Sequence, residues 1–423
     1  MIFCCLLQKK CPAINNLSTI FFENNIEFSF FLLLKKLMLT MLSYYLKRFL
    51  ISVVFIVFGC FLLAAQTSLK LKFKRSNIYA GIEVGSKGVK MSLIEMDKIS
   101  RENSNYNIVG DTSINTDFIS FTPATFSASL KALYDLYNTA HSFYQVPLNR
   151  IYTVISSGVK VSAQKDDKTK WIQVFIDSFR IKINDPSRRV DVIDPEQEAR
   201  LSHLGIVPES KRFTTFLIDI GSGNTKGGYF PTDNTDHIKL FQLTWGTQST
   251  ANAAINRLDN DNSLNNYNRQ LQRVLNGDAD KEITYAVNVS GAYNMSDNIA
   301  FSGGAAWATA TLLYPELIDE QVVPVTYDEV KKLNEKLFTD YPAFSDKALV
   351  SKITNNSVDK DAIAKEIRTV NKVFNQRAML AASGLLLKIM RQFDGLYEKK
   401  QFYLVKNGQV GWISAYVNES IDK

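Results

Sequence analysis

The chain has 423 residues, 46% hydrophobic and 22% charged, which is enough apolar content to bury the cores of two or three domains and too much for overall disorder. Its formal charge of +7 gives no reason to propose nucleic acid. Lys9, Lys10, Lys35, Lys36, Lys47 and Arg48 against Glu23 and Glu27 put +4 of it before Gln66, and 43 basic against 40 acidic residues leave +3 for the rest.

All four cysteines, Cys4, Cys5, Cys11 and Cys60, lie in the same leader, so no disulfide or thiolate metal site is expected in the globular part. His141, His203 and His237 are isolated, with no partner at metal-ligand spacing. Within the leader, taken as residues 1–65, Phe49 to Ala65 is an uncharged apolar run preceded by Lys47-Arg48 and ended by Ala64-Ala65-Gln66. That is the order of a secretory signal with a small-residue cleavage site. Its length is also near the lower limit of a membrane-spanning helix, so an exported, periplasmic product or an uncleaved membrane anchor is expected, with a cytoplasmic location left open. Lys70, Lys72, Lys74 and Arg75 directly after it complicate the orientation. The apolar patch Phe28 to Leu34 reads as sequence upstream of a true start at Met38 or Met41, with a second membrane segment as the alternative.

The globular part opens with a hairpin unit, Tyr79 to Met96, followed by a strand within Ile108 to Phe121. Ser127 to Tyr144 carries Leu130, Leu133, Tyr134, Tyr137 and Ala140 at helical spacing, a core stripe. Arg150 to Ile155 predicts a strand leading into the small-residue turn Ser156-Ser157-Gly158, then a helix over Trp171 to Arg180 and a strand over Val190 to Ile193. The alternation indicates an α/β domain with a mixed sheet. Asp194-Pro195-Glu196-Gln197 predicts a helix start with a capping box, which puts Glu198 in the first turn. There it either complements the helix dipole or, being close before the next hairpin, faces a cleft.

Phe216 to Phe230 predicts strand, glycine-rich turn, strand, with Asp219 at the end of the apolar run and glycine amides behind it that can approach an anion. The order Ile, acid, β-branched residue, Gly-Ser, three residues, Lys occurs twice, from Ile82 to Lys90 and from Ile218 to Lys226. Two such units suggest a duplicated fold whose halves grip an anion between them.

Leu240 to Thr244 reads as a strand ending in Trp245-Gly246-Thr247, with helix from Ser249, and the Asn- and Asp-dense stretch Asp259 to Asp280 reads as a solvated region. Ile299 to Ala306 is a strand running into glycines that open a helix, either a passage under a phosphate or a tight connection. Helices follow over Tyr327 to Phe338, Asp359 to Val370 and Val373 to Phe393, then a strand at Phe402 to Val405 and a terminal helix from Gln409.

Ile218 to Lys226, beside Glu198-Ala199-Arg200-Leu201, Ser302-Gly303-Gly304 and Arg377-Ala378 with Gly384, resembles the exopolyphosphatase and guanosine pentaphosphate phosphohydrolase family of the actin, sugar kinase and heat-shock chaperone superfamily. The resemblance implies a duplicated ribonuclease H-like (actin-like ATPase) α/β fold, two domains around a central cleft. Domain I would span 76–205 and domain II 206–408, with 409–423 a terminal helix against domain I. It implies a hydrolase that releases terminal phosphate from polyphosphate or a guanosine pentaphosphate-like nucleotide, with magnesium. A homodimer is left open.

In the matching positions Glu198 is the catalytic glutamate that activates water. Gly85, Ser86 and Lys87 form the first phosphate loop, and Gly221, Ser222, Gly223, Asn224 and Thr225 the second. The resemblance further implies that Ser157, Gly158, Gly303 and Gly304 would line phosphate and that Asp219 and Glu83 would be metal ligands. Phosphoryl transfer needs such donors and one base aimed at an in-line water. Three residues depart from the family pattern: Glu83 where an aspartate is expected, Ser222 for a glycine, and Lys226 for an acid. They motivate a second expectation, a degenerate sensor that clamps a polyphosphate or nucleotide without turning it over.

Overall fold

The computed structural model describes residues 71–102, 106–292, 296–355, 357–394, 399–406 and 408–422, together with residue 38. From residue 71 onward the described chain forms one compact unit. The expected signal or anchor, and the alternative starts apart from Met38, lie outside the described residues.

Two mixed sheets carry the chain. The first has the order β3-β2-β1-β4-β5, built from β1 (Asn77–Val84), β2 (Gly88–Met96), β3 (Asn107–Asn115), β4 (Ile151–Ile155) and β5 (Val190–Val192). β1, β2 and β3 are antiparallel, while β4 joins β1 in parallel and β5 joins β4 in parallel. The second repeats this order as β8-β7-β6-β9-β11 with β10 added at the edge, from β6 (Thr215–Ile220), β7 (Thr225–Tyr229), β8 (Lys239–Leu243), β9 (Asn298–Ser302), β10 (Val322–Val325) and β11 (Gln401–Val405). This is the duplicated ribonuclease H-like arrangement of the actin-like ATPase fold, as the sequence led us to expect.

Helices follow the strands. Among the described residues those of nine or more residues are α1 (Pro123–Asn138), α2 (Ser157–Lys165), α3 (Thr169–Lys182), α4 (Pro195–Ile206), α5 (Thr247–Ile255), α6 (Leu264–Leu275), α7 (Asp278–Ser290), α8 (Gly304–Leu313), α9 (Tyr327–Thr339), α10 (Lys360–Val373), α11 (Gln376–Arg391) and α12 (Gly411–Ser420). Among the described residues no helix is long and apolar enough to cross a membrane.

The strand period of two decides which residues reach the site. In β1, Ala80, Ile82 and Val84 enter the core shared with α1 and α3, which turns Tyr79, Gly81 and Glu83 to the opposite face. On that face Tyr79 packs with Leu201 of α4 and with Trp412, Ile413 and Tyr416 of α12. In β6, Phe216, Ile218 and Ile220 join the large core of the second sheet, and Leu217 and Asp219 turn to the side where Ile206 of α4 packs. Each sheet therefore sends its acid to the face that meets α4.

Three expectations are corrected. The Asp259 to Asp280 stretch is not simply solvated, because it contains α6, with Tyr267, Leu271, Val274 and Leu275 buried. Its buried Asn266 is satisfied internally, donating through Nδ2 to Leu258 O at 3.0 Å and Asp261 O at 2.7 Å. The turn at Ser157 is the start of a helix, α2. Asp194 does cap α4 by accepting from the Gln197 amide, but Gln197 returns no bond and the capping box is only half made.

Candidate active site

Glu198 is 3% exposed in the first turn of α4. Its Oε2 accepts from the Ser157 amide at 2.8 Å, and its Oε1 accepts from the Lys226 ammonium. The side chain thus bridges the N-terminus of α2, which follows the first sheet's β4, to β7 of the second sheet. The carboxyl is held between elements of the two sheets while still sitting in the first turn of its helix.

The first loop adjoins directly. Gly85 N–H donates to Gly88 O at 2.9 Å and closes the turn between β1 and β2. Ser86 reaches the start of α2 so closely that a Cβ on Gly158 would stand 2.8 Å from Ser86 Oγ. Glu83 is buried, with Oε1 3.0 Å from where a Cβ on Gly85 would be. Across the hairpin Glu83 is paired with Lys90, and in the second hairpin Asp219 is paired with Lys226, so the repeat seen in the sequence is a repeated cross-strand pair of acid and lysine.

In the second loop Gly221 N–H donates to Asn224 O at 3.0 Å, and the carbonyls of Gly221 and Ser222 accept from the first amides of α5, Thr247, Gln248 and Ser249, at 2.8 to 3.2 Å. Close approach requires glycine at 246, where a Cβ would lie 2.6 to 2.7 Å from three backbone atoms of this loop. The sequence offered Trp245-Gly246-Thr247 only as a strand end; a glycine directly before the helix that begins at Thr247 was the available sign of this docking. Asp219 accepts from Ser302 Oγ at 2.9 Å, and Gly303, at φ 86°, passes so near that a Cβ would be 2.8 Å from Asp219 Oδ1.

Gly85, Ser86, Ser157, Gly158, Glu198, Asp219 and Gly303 are therefore linked by a run of contacts, joined by Lys226 and Ser302. Ser222, Gly223 and Asn224 are exposed on the turn, and a Cβ on Gly223 would meet nothing within 4 Å. Gly304 is half-buried at the start of α8, near Phe374.

Two predicted phosphate ligands have their side chains committed elsewhere. The Thr225 hydroxyl donates to Trp245 O at 2.7 Å, because its position in β7 faces the core. Lys87 is exposed and pairs with Asp117 at 3.5 Å. Arg377 lies over Tyr267 and bonds to Asn262 O, supporting α6 rather than the acids.

The electrostatics centre on Lys226, whose side chain is 14% exposed. Burial alone would lower its ammonium, yet Glu198 and then Asp219 hold it above the usual lysine value. Burial pushes the Glu198 carboxyl up, but Lys226 and the hydrogen bonds from Lys226 and Ser157 outweigh it and hold the group below the usual carboxylate value. Burial pushes Glu83 and Asp219 up, with Lys226 and Lys90 opposing and the neighbouring acids reinforcing the shift.

Magnesium, which the resemblance implies, does not fit this donor set. Glu198, Glu83 and Asp219 already share one ammonium, and no group of three His, Cys, Asp or Glu suited to a metal is gathered among the described residues. A dication about 4 Å from that ammonium would be repelled by roughly 8 kcal/mol at an effective dielectric of about 20. A separate cavity of about 400 Å³, lined by Gln272, Lys331, Asn334 and Lys388 among others, includes none of these acids.

The architecture and the paired loops define a protein of the duplicated actin-like ATPase fold. Among solved structures the chain is similar to the Aquifex aeolicus Ppx/GppA family member, with a TM-score of 0.56 and 15% identity over 82% of this chain and 98% of that one. The type II variant of the Aquifex aeolicus Ppx/GppA phosphatase gives 0.55 and 15% over 81% and 99%, and an exopolyphosphatase from Cytophaga hutchinsonii gives 0.51 and 13% over 82% and 98%. No family model and no curated protein matches the sequence.

Proposed function

We propose that the chain is a phosphohydrolase of the exopolyphosphatase and guanosine pentaphosphate phosphohydrolase family, releasing terminal phosphate from polyphosphate or a guanosine pentaphosphate-like nucleotide. In this reading 76–205 and 206–408 are the domains on either side of the cleft. The observation that carries it is the position of Glu198, buried between the N-terminus of α2 and Lys226 of the second hairpin. The Ser86 loop and the α2 amides hold the terminal phosphate, and its oxygens draw the Lys226 ammonium from Glu198. Glu198 then takes a proton from a water whose oxygen bonds to phosphorus. The bond to the bridging oxygen breaks, its electron pair stays with the shortened chain, and orthophosphate leaves.

The full chain should release orthophosphate from polyphosphate, and Glu198→Gln should lower kcat by about a hundredfold or more. Wild type that is inert on polyphosphates and on guanosine polyphosphates sinks this reading. One observation favours a second reading, binding without turnover: both Glu198 oxygens are engaged, which makes the group a poor base until Lys226 moves. Calorimetry that finds tight polyphosphate binding with no phosphate released selects it.

A further inference from the structure

We propose that the ε-ammonium of Lys226 is the resident cation of the cleft, and that the chain takes a phosphate chain there without a divalent metal. The inference rests on the phosphate-chain reading above for its ligand and on the side-chain arrangement for its cation.

Carboxylates from three separate elements, Glu83 of β1, Glu198 of α4 and Asp219 of β6, act on Lys226, which bonds to Glu198 and stands opposite Asp219 in the strand register. The lysine is fixed by its place in β7, between the glycine-rich turn and Gly227, and its side chain is only 14% exposed. A mobile surface lysine would serve as a screening charge; this one is held as a bound ion would be, by anions converging from different parts of the fold. Asp219 is already occupied by the Ser302 hydroxyl, which donates to its Oδ1 at 2.9 Å, and both oxygens of Glu198 are taken by Lys226 and the Ser157 amide. The exposed Lys90, opposite Glu83, supplies a second positive charge beside the cluster.

The test uses the full chain, with tripolyphosphate as the anion and manganese alone as the metal probe. Tripolyphosphate affinity, measured by calorimetry, should agree within about threefold between EDTA and excess magnesium. It should fall about tenfold or more in Lys226→Ala under both conditions and be retained in Lys226→Arg, which keeps the charge if the alanine variant folds poorly. Manganese followed by its electron spin resonance should not bind wild type but should bind Lys226→Asp, which adds a carboxylate in place of the cation. Wild type that takes up manganese and loses it in Asp219→Asn overturns the proposal, as does tripolyphosphate binding that disappears in EDTA and returns with magnesium. Wild type that binds neither manganese nor tripolyphosphate refutes the phosphate-chain ligand, whereas manganese uptake lost in Asp219→Asn, magnesium-dependent binding, or unchanged tripolyphosphate affinity in Lys226→Ala refutes the internal cation.

Discussion

His203, one turn beyond Glu198 on α4, shows how burial sets the response of this molecule to acid. It is fully buried, hydrogen-bonded through Nε2 to Thr215 O at 3.0 Å, stacked edge-on to Phe230, and pushed down to about 4 by burial. The folded state therefore keeps it neutral where the unfolded chain, with a value of 6.5, takes up a proton. Stability is intact above 6.5 and is lost as the pH falls toward 4, by about 3 kcal/mol from this residue. His203→Gln, which retains a donor for Thr215 O and does not titrate, should remove that part of the acid dependence. Urea unfolding near pH 7 and near pH 4 reads the difference, and an unchanged acid loss in the variant would assign it to other groups. Glu198, held low, adds loss in the same direction as acid protonates it, while Glu83 and Asp219, held high, act in the opposite direction because protonation relieves their burial.

At the scale of elements, the turn from β9 into α8 ties Asp219 in place through one glycine. Gly303 has φ 86°, and a Cβ there would lie 2.4 Å from Ile220 O as well as 2.8 Å from Asp219 Oδ1. Gly303→Ala should cost about 2 kcal/mol or more through backbone strain and contact and should weaken tripolyphosphate binding by displacing Asp219. Gly223→Ala, where a Cβ meets open space, should stay within about 0.5 kcal/mol of wild type. Urea midpoints with calorimetry test the pair, and equal effects at both positions would show that the turn does not hold the acid.

The same scale shows what was legible in the sequence. Both hairpins and the Ser302-Gly303 turn follow from apolar runs ended by glycine, and Glu198 at a helix start follows from the Asp194-Pro195 cap. The spacing of α6 was masked by asparagines and glutamines that pack inward because the fold satisfies them, and β10 by Pro324, tolerated at a sheet edge. Lys226 was legible as an exception to a pattern, but its bond to Glu198 is made by a helix packed from another part of the chain, which no local pattern reports. Thr225 and Lys87 misled for the same reason, since strand register and the neighbour Asp117 decide where their side chains go.

For the molecule as a whole, the contact between α4 and α12 sets the position of the catalytic candidate. The two helices cross where Gly205 meets Gly411: a Cβ on Gly205 would stand 2.0 Å from Gly411 O, and one on Gly411 would stand 2.3 Å from Ile206 Cγ1. Arg200 of α4 reinforces the crossing by pairing with Glu419 of α12 at 2.8 Å. The last helix then covers β1, with Ile413 against Gly81 and Tyr416 donating to Asp191 at 2.9 Å. The far end of the chain thereby fixes the helix that carries Glu198 between the sheets. Gly205→Ala should push α4 off α12, cost about 2 to 3 kcal/mol as an overpacked contact, and lower phosphate release more than the stability loss alone predicts. Under conditions where wild type and variant are both folded by circular dichroism, kcat separates the two effects. A variant destabilised to this extent but with unchanged kcat would show that Glu198 keeps its place through Ser157 and Lys226 alone.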